Sequence, residues 1–259
     1  MANFLTFAGA AIEAIRINRI TLETRNGREV WVKQRRSWSG PVVRCANFFF
    51  HLAGQPMRVR VDPQAWQCWE TDCFNLLHGG EFRAFSEEPR TVCTDKIPGL
   101  SLARHFEQGT FLEEMLDAAA AELRRGHELQ CAGFNGLWSH GDANLANFLF
   151  DETGRRARMI DFEMVHEPSI SYAERQADDL LVFLQDLCGC ISRDRWLPAA
   201  VRFLEGYGRA EVLDRLIERL QVPRGLPLVW WVIRANYVPP SDLRRRFDAL
   251  RETIRLSQA

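Results

Sequence analysis

Near its start the chain alternates apolar and polar positions in two short runs, which predicts a pair of β-strands. Residues 20–36, ITLETRNGREVWVKQRR, contain these runs on either side of Asn26-Gly27. This dipeptide favours a tight hairpin turn because both of its residues tolerate positive φ. The pattern therefore predicts an antiparallel hairpin that carries Lys33 in its second strand.

The next stretch changes to a helical period and predicts a helix from about residue 63 to residue 78. Asp62 is a suitable N-cap, Pro63 fits the first helical position, and Gly79 lies just past the end. An apolar stripe recurs along this helix at a spacing of three or four residues. Its members are Trp66, Trp69, Cys73, Phe74 and Leu77.

Glu70 lies on the same stripe, four residues from both Trp66 and Phe74. A carboxylate on a buried helix face needs a partner. The nearest upstream basic residue on a buried-looking strand is Lys33, so the sequence points to an ion pair between Lys33 and Glu70. A solvated lysine at the strand edge and a helical carboxylate without a partner remain the alternatives.

The rest of the chain predicts further strands and then mainly helices. A segment that is apolar on nearly all sides, residues 180–187, predicts a central rather than a superficial helix. The other predicted elements are a strand at 90–102 that ends at Pro98-Gly99, a helix at 110–130, strands at 148–150 and 157–163 joined by a turn at 151–154, and helical structure at 195–257.

Composition and charge narrow the classes of function. The 259 residues, of which 26% are charged, carry a net charge of −1, which gives no reason to expect a nucleic-acid binder or a polybasic membrane anchor. No apolar run reaches the roughly 18 residues that span a bilayer. The apolar N-terminus, residues 1–15, predicts a helix packed on the body of the protein, with a helix on a membrane surface as the alternative.

Cysteine and lysine usage add two expectations. The chain has seven cysteines, an odd number without a CxxC pair, which predicts reduced, buried thiols in a cytoplasmic protein. Lysine is rare, because only Lys33 and Lys96 occur among 33 basic residues. A lysine is a compact charge on a flexible stem, a property that arginine does not offer, so both positions are candidates for a specific role.

The candidate chemistry lies in HGDANLANFLF, residues 140–150, where a polar loop runs directly into a strand. We expect the following hairpin to bring Asp161 towards the loop that carries Asp142 and Asn147. Carboxylate and amide oxygens are hard ligands that suit Mg²⁺ bound together with substrate phosphates. With a fixed lysine for phosphate oxygens, these are the parts that phosphoryl transfer needs. For Asp161 alone, an ordinary turn residue is the alternative.

These motifs resemble those of a known superfamily. HGDANLANFLF followed by MIDFE, with 19 residues from Asp142 to Asp161, is similar to the catalytic loop and metal-binding motif of the protein-kinase-like phosphotransferases. The bacterial branch is more similar, namely the aminoglycoside and choline-type phosphotransferases and the lipopolysaccharide (Kdo and heptose) kinases. The resemblance implies an α+β fold of two lobes. A small N-terminal lobe, 1–96, would hold an antiparallel sheet and one key helix, and a larger lobe, 97–259, would be mainly helical.

Carried over residue by residue, the resemblance implies a role for each matching position. Asp142 would accept the proton of the acceptor hydroxyl or orient that group. Asn147 and Asp161 would hold Mg²⁺. Lys33 would contact the α- and β-phosphates of ATP and pair with Glu70.

The resemblance also implies supporting roles. The segment from Cys93 through Asp95 to Ile97 would be the hinge, whose backbone would meet adenine. His140 would brace the catalytic loop, and Asp179 would hold its backbone, with Asp178 as the competing choice.

Three departures from the family pattern bear on function. No Gly-rich phosphate loop precedes Lys33, since Gly27 belongs to the hairpin, and Glu163 stands where the Asp-Phe-Gly motif has glycine. Only about a dozen residues separate Asp161 from the helix around Glu174. Protein kinases use that interval for a long activation segment, so its shortness argues against a peptide substrate.

The resemblance therefore implies an ATP- and Mg²⁺-dependent kinase that moves the γ-phosphate to a hydroxyl of a small molecule or of a lipopolysaccharide-core sugar. A minimal protein Ser/Thr kinase and a nucleotide-binding pseudokinase without turnover are the alternatives. The complete set of Lys33, Asp142, Asn147 and Asp161 argues against the pseudokinase. The expected partner is a small-molecule or lipid-linked sugar acceptor and not a nucleic acid. The expected location is the cytoplasm, with peripheral contact with the inner membrane as an open alternative.

Overall fold

A computed structural model describes residues 17–25 and 27–258, so the predicted N-terminal helix lies outside the described residues. The chain divides into two compact units: unit 1 comprises residues 1–97 and 161–165, and unit 2 comprises 98–160 and 166–259. No pattern in the sequence indicates that the segment 161–165 belongs with the N-terminal residues. The lobe boundary placed after residue 96 stays a prediction.

The described residues form eleven strands and nine α-helices. The strands are β1 (Asn18–Arg25), β2 (Arg28–Arg35), β3 (Met57–Val59), β4 (Ala84–Phe85), β5 (Thr91–Asp95), β6 (Leu100–Ser101), β7 (Gln130–Cys131), β8 (Gly136–Leu137), β9 (Phe148–Asp151), β10 (Arg156–Met159) and β11 (Met164–His166). The helices are α1 (Ser39–Leu52), α2 (Pro63–His78), α3 (Leu102–Gln108), α4 (Glu114–His127), α5 (Tyr172–Cys190), α6 (Arg193–Tyr207), α7 (Ala210–Arg219), α8 (Leu226–Arg234) and α9 (Pro240–Gln258).

The predicted hairpin in unit 1 is confirmed. β1 and β2 pair antiparallel, with Ile20 opposite Lys33 and Leu22 opposite Trp31. Gly27 turns the chain with a φ of +76°, a left-handed conformation that glycine adopts at little cost. The hairpin is one edge of a four-stranded antiparallel sheet in the order β1-β2-β5-β4.

The helix predicted at 63–78 is confirmed at both ends. α2 begins after Asp62, whose carboxylate accepts the backbone N–H of Ala65 at 2.7 Å, and it ends before Gly79. All five members of the predicted apolar stripe are buried, and Glu70 is buried with them. The helix therefore brings a carboxylate into the core of unit 1.

The segment 161–165 completes this core. Phe162 is 1% exposed and meets Phe74 of α2 edge to face, with 6.5 Å between the ring centroids. The ring of His78 lies 6.4 Å from the same phenyl ring. β11 pairs with β3 as a two-stranded sheet. Unit 1 thus depends on residues that lie far along the chain from its other members.

The strand predicted in residues 90–102 is present, but it is shorter than predicted and does not reach Pro98-Gly99. β5 ends at Asp95, and the two-residue strand β6 pairs instead with β9 in unit 2. Pro98 has no N–H to give to a ladder. Gly99 has a φ of +113°, and a Cβ there would overlap the carbonyl of Phe150. Only glycine permits this close approach of two backbones.

Unit 2 is mainly helical around a three-stranded sheet in the order β10-β9-β6. α5 is buried along most of its length, which confirms the predicted central helix, and it packs on α6, α7 and α8. Phe183 of α5 stacks on Phe203 of α6 with 3.9 Å between the ring centroids. The helix predicted at 110–130 is α4, and the C-terminal helical pattern resolves into four helices, α6 to α9.

The predicted fold class is confirmed. An antiparallel sheet lies in the N-terminal part and a largely helical region in the C-terminal part, which is the arrangement that the resemblance implies. None of the helices in the described part of the chain is long and apolar enough to cross a membrane.

All seven cysteines are free. Four of them are buried and Cys190 is partly buried, as expected, but Cys45 and Cys68 are exposed. The prediction of buried thiols is wrong for these two, because each lies on the solvent side of its helix.

Candidate functional site

Lys33 lies at the centre of a charged cluster in unit 1. Its Nζ donates to Oε1 of Glu70 at 2.7 Å and to Oδ1 of Asp161 at 2.5 Å. The same Nζ lies 3.3 Å from Oε2 of Glu163. The side chains of Lys33 and Glu70 are only 12% and 7% exposed. Lys33 is therefore not a solvated strand-edge lysine, and Glu70 is not a carboxylate without a partner.

The local fold fixes these positions. Alternation along β2 puts Val30 and Val32 in the sheet core and Lys33 on the other face. Glu70 reaches the cluster from the buried face of α2. Asp161 has a φ of +65°, a conformation that costs non-glycine residues about 1 kcal/mol and that aspartate tolerates better than most. Its ion pair with Lys33 thus coincides with backbone strain.

Glu163, which the sequence shows only as a departure from the family pattern, belongs to the same cluster. Nδ2 of Asn18 donates to Oε2 of Glu163 at 2.5 Å, and Oδ1 of Asn18 accepts from Nε of Arg35 at 3.3 Å. The Arg35 guanidinium lies 4.1 Å from the centre of the Trp66 ring. The spacing of Lys33 and Arg35 could have placed Arg35 at this cluster, because residues two apart in one strand lie on the same face.

The pKa values of both Lys33 and Glu70 are raised, that of Lys33 by neighbouring charges and that of Glu70 by burial. Burial acts to lower the pKa of Lys33, but the charges of Asp161, Glu163 and Glu70 outweigh it and raise that pKa well above its ordinary value. Burial raises the pKa of Glu70 to about 7, against the pull of Lys33. Oxygens of the three carboxylates lie within 4.8 Å of one another. Lys33 accounts for this convergence without a metal ion.

The catalytic loop predicted at residues 140–147 is ordered by its own side chains. His140 is 1% exposed, its Nδ1 accepts the N–H of Asp142 at 3.3 Å, and its Nε2 donates to the carbonyl of Ile160 at 3.1 Å. Nδ2 of Asn147 donates to the carbonyl of Asp142 at 2.8 Å. Nδ2 of Asn144 donates to the Asp142 carboxylate at 3.0 Å. The amide oxygen is therefore the atom of Asn147 that can bind a metal.

Two carboxylates on one side of α5 hold the backbone of this loop. Asp179 accepts the N–H groups of His140 and Gly141, both at 2.7 Å. Asp186, two helical turns further on, accepts the N–H of Leu145 at 2.8 Å. Sequence reasoning missed Asp186, although its spacing of seven residues from Asp179 on an apolar helix is a usable signal.

Asp179 has a third hydrogen-bond partner, His127. Its Oδ2 lies 3.0 Å from Nε2 of His127, whose Nδ1 lies 2.8 Å from the Tyr207 hydroxyl. Burial lowers the pKa of His127 despite the carboxylate beside it, so the ring is neutral and donates from Nε2. Burial acts to raise the pKa of Asp179, but the neighbouring imidazoles, that of His166 first, hold it below its ordinary value. Asp179 is thus an ionised acceptor.

Asp178, the competing choice, has different partners. Its carboxylate pairs with Nη2 of Arg219 at 2.5 Å and lies 3.3 Å from Nε2 of His166. Nδ1 of His166 in turn contacts the Ser139 hydroxyl at 2.9 Å. Burial acts to raise the pKa of Asp178, but Arg219 and His166 hold it well below its ordinary value. Asp178 ties α5 to α7 rather than to the loop backbone.

The predicted hinge residues lie in and just after β5. Cys93 is fully buried in the sheet core, and Ile97 is 5% exposed. The N–H of Asp95 donates to the carbonyl of Arg83 at 2.8 Å, and its carboxylate accepts the N–H of Arg83 at 3.0 Å. Because these side chains are buried or engaged, any contact with a base falls to the remaining backbone groups of the segment.

One face of the β1–β2 hairpin combines Lys33 with exposed apolar side chains. Ile20, Leu22 and Trp31 are 57%, 42% and 40% exposed. Ile20 lies opposite Lys33 and Leu22 opposite Trp31, and directly opposed residues of an antiparallel pair share a face. An apolar surface beside a cation suits a ligand with a flat, weakly polar ring and an anionic tail.

The chain is similar to several solved structures at low sequence identity. An erythromycin complex of Rv3197 from Mycobacterium tuberculosis is 17% identical with a TM-score of 0.42, over 91% of this chain and 71% of that one. An ethanolamine kinase from Plasmodium vivax is 11% identical with a TM-score of 0.43, over 91% of this chain and 81% of that one. The bifunctional kinase-methyltransferase WbdD is 16% identical with a TM-score of 0.43, over 90% of this chain and 50% of that one. No protein-family model and no curated protein matches the sequence.

Proposed function

We propose that the chain is an ATP- and Mg²⁺-dependent phosphotransferase that moves the γ-phosphate of ATP to a hydroxyl of a small molecule or of a lipopolysaccharide-core sugar. The observation that carries the proposal is that the largely buried Lys33 contacts both the buried carboxylate of Glu70 and the half-exposed carboxylate of Asp161. Burying such charges is expensive and is a poor way to gain stability, whereas it is common where chemistry needs a fixed charge.

In this proposal, unit 1 binds the nucleotide. Lys33, held by Glu70, supplies the cation for the α- and β-phosphates. The exposed apolar face beside it, with Trp31 and Leu22, offers a surface for the base. The backbone around Cys93 to Ile97 gives the remaining polar contacts.

Unit 2 supplies the chemistry at the acceptor. Asp142 accepts the proton of the acceptor hydroxyl as that oxygen bonds to the γ-phosphorus, and the bond from the γ-phosphorus to the bridging oxygen breaks to release ADP. The hydrogen bond from Asn144 orients the Asp142 carboxylate, and Asp179 fixes the backbone on which it stands.

The donor chemistry of two residues fits Mg²⁺. Asn147 in unit 2 offers an amide oxygen, and Asp161 in unit 1 offers a carboxylate that is 41% exposed. Both are hard oxygen ligands of the kind that Mg²⁺ prefers. When bound, the metal neutralises charge on the phosphate oxygens. Each residue is proposed as a ligand because of the oxygen atom that its side chain offers.

A small acceptor is favoured over a peptide by the segment after Asp161. The helix α5 begins at Tyr172, and β11 occupies residues 164–166 of the interval. This leaves no stretch long enough for the activation segment that protein kinases use to hold a peptide. We place the reaction in the cytoplasm, where ATP is available.

Thermal unfolding and phosphate transfer test the proposal together. ATP with Mg²⁺ is expected to raise the unfolding midpoint of the wild type, because a ligand that binds only the folded state stabilises it by mass action. Asp161→Ala is expected to lose this rise, and Asp142→Asn to keep it but lose transfer to every acceptor in a panel of sugars and amino alcohols. Asp248→Ala, an exposed aspartate of α9, is the matched control.

Each outcome has a distinct meaning. No rise at millimolar ATP in the wild type would contradict nucleotide binding and with it the proposal. A rise in the wild type without transfer to any hydroxyl acceptor would favour a nucleotide-binding pseudokinase. Transfer to a peptide but to no small molecule would favour a minimal protein kinase.

A further inference from the structure

The outer face of α1 carries an apolar stripe that the proposed function does not use. Exposed residues recur at spacings of three and four from the N-cap to the last residue of the helix: Trp38, Pro41, Cys45, Phe48 and Leu52. Trp38, Phe48 and Leu52 are 46%, 65% and 52% exposed. The opposite face buries Val43 and Phe50 in unit 1. A helix on the surface of a globular protein normally has one apolar face, and α1 has two.

The surroundings of this stripe are basic. Residues 30–61 contain six lysines and arginines and no aspartate or glutamate, although the whole chain has a net charge of −1. Among the six, Arg36, Arg44 and Arg58 are exposed. Arg44 precedes Phe48 by one helical turn, and the Arg36 guanidinium lies 5.7 Å from the centre of the Trp38 ring. Cations therefore border the apolar stripe.

We propose that the α1 stripe docks this protein, lying in the plane of the interface, on an anionic lipid surface. A helix with an apolar face bordered by arginines binds such surfaces through the burial of apolar area and attraction to anionic headgroups. Tryptophan at the end of the stripe suits the headgroup level, because its ring is apolar and its N–H is polar. The 14 residues of α1 give a contact about 21 Å long.

Charge decides between a lipid surface and a second copy of the chain. In a two-fold dimer through this stripe, the arginines of one copy would face the same arginines of the other copy. Residues 30–61 contain no aspartate or glutamate that could pair with them. Like charges set against each other oppose association. An anionic bilayer supplies the opposite charge over the whole face.

Vesicle flotation tests the proposal on the full chain. Vesicles of equal parts phosphatidylcholine and phosphatidylglycerol are expected to carry the protein upward, and vesicles of phosphatidylcholine alone to carry much less. Phe48→Ser with Leu52→Ser is expected to weaken binding at least about tenfold, because two apolar side chains no longer enter the interface. Arg44→Ser is expected to weaken it about fivefold and to flatten its salt dependence.

Two matched variants serve as controls for this experiment. Leu112→Ser with Leu256→Ser removes two exposed leucines of unit 2, which are 55% and 70% exposed, and is expected to bind as the wild type does. Phe4→Ser with Leu5→Ser makes the same kind of change near the N-terminus and is also expected to bind as the wild type does. All variants must keep the thermal unfolding midpoint of the wild type.

A thiol footprint gives a second, independent readout. Cys45 belongs to the stripe, whereas Cys68 is an exposed thiol of α2 outside it. A charged maleimide is expected to label both in solution. With anionic vesicles, labelling of Cys45 is expected to slow at least about fivefold, while labelling of Cys68 keeps its rate, because a charged reagent is excluded from the lipid interface.

Several results would overturn the proposal. Equal binding to neutral vesicles, no binding at all, or full binding by the Phe48 and Leu52 variant would do so. Loss of binding in the Phe4 and Leu5 variant alone would assign the contact to the N-terminus. A concentration-dependent dimer in sedimentation that the Phe48 and Leu52 change abolishes, without vesicle binding, would assign the stripe to a second copy.

Discussion

At the scale of single residues, the two lysines lie in very different surroundings, and Lys33 is the one at the centre of a charged cluster. Lys33 lies close to three carboxylates, of which Glu70 is on α2 and Asp161 and Glu163 are in the segment 161–165. Its own side chain is only 12% exposed. Lys96, by contrast, pairs with Glu29 at 2.8 Å between side chains that are 41% and 54% exposed. The same residue type therefore has a structural cost at one position and almost none at the other.

Lys33→Met is expected to destabilise the protein by about 3 kcal/mol, because it leaves the buried carboxylate of Glu70 without its cation. Adding Glu70→Met to that variant is expected to recover part of the loss, since one of the unpaired charges is then removed. Urea unfolding of the two single variants and the double variant measures both effects. Lys96→Met is the control, with an expected change within about 0.5 kcal/mol. A Lys33→Met variant as stable as the control would contradict the cluster.

Glu70 is expected to make stability depend on pH. Its folded pKa of about 7 lies above its ordinary value of 4.5, so between these values the native state holds more protons than the unfolded chain. Stability is therefore expected to fall as pH rises from 4.5 to about 7. A glutamine at position 70 does not titrate. The unfolding free energy of the wild type is therefore expected to decrease relative to that of Glu70→Gln as pH rises over this range.

Unfolding free energies at half-unit steps of pH measure this difference. Glu122→Gln, a buried glutamate of α4 paired with Arg125 at 2.7 Å, controls for the loss of an ordinary paired carboxylate. A wild-type minus Glu70→Gln difference that does not change between pH 4.5 and 7 would show that Glu70 stays ionised throughout.

At the scale of elements, the buried helix α5 acts as the support of the loop at residues 140–147. Asp179 and Asp186 give three acceptors to backbone N–H groups that would otherwise be buried without partners. The loop has little regular structure of its own apart from a 3-10 turn at Leu145–Asn147. Its conformation therefore depends on a helix that follows it in the chain as well as on its own side chains.

Asp179→Ala is expected to destabilise the protein by at least about 3 kcal/mol, since two buried N–H groups and the His127 ring lose their acceptor. Amide exchange at His140 and Gly141 is expected to accelerate more than exchange in β9. Hydrogen exchange followed by mass spectrometry, together with urea unfolding, measures both. Asp248→Ala is the control for an exposed aspartate, and equal effects of the two changes would contradict the role of Asp179.

Elements with local signals could be predicted from the sequence, and those with mixed signals could not. α2 has an N-cap, a proline, a glycine stop and one apolar stripe, so its bounds follow from neighbouring residues. α1 is apolar on two faces, which hides the helical period. The pairing of β6 with β9 depends on how closely Gly99 approaches Phe150, a contact between distant parts of the chain.

The same reasoning applies to the candidate site. Lys33 and Glu70 each carry a periodic signal, and their contact follows from burial. Glu163 and Asn18 carry no such periodic signal. Their contact depends on the segment 161–165 belonging to unit 1, which no pattern in the sequence indicates. Motif spacing finds Asp142, Asn147 and Asp161 but says nothing about which side chains hold them.

At the scale of the whole molecule, the absence of disulfides makes thiol exposure a direct report on folding. All seven cysteines are free, and only Cys45 and Cys68 are exposed. A colorimetric disulfide reagent is expected to find two fast thiols in the native protein and seven in denaturant. Cys45→Ser with Cys68→Ser is expected to remove the fast phase and leave the unfolding midpoint unchanged.

The control for this measurement is Cys73→Ser, which alters a buried thiol of α2 and is expected to keep both fast thiols. More than two fast thiols in the native protein would show that one of the buried cysteines is accessible in solution.

The return of residues 161–165 to unit 1 has a consequence for synthesis on the ribosome. Lys33 is made 128 residues before Asp161, its partner at 2.5 Å. At roughly 5 to 20 residues per second, the nascent chain waits on the order of 6 to 25 s before the second carboxylate, and Phe162 beside it, can leave the exit tunnel. During that time the N-terminal sheet and α2 have a lysine with a single partner and a core without its last phenyl ring. Unit 1 therefore finishes folding only after the whole hairpin of β9 and β10 has been made.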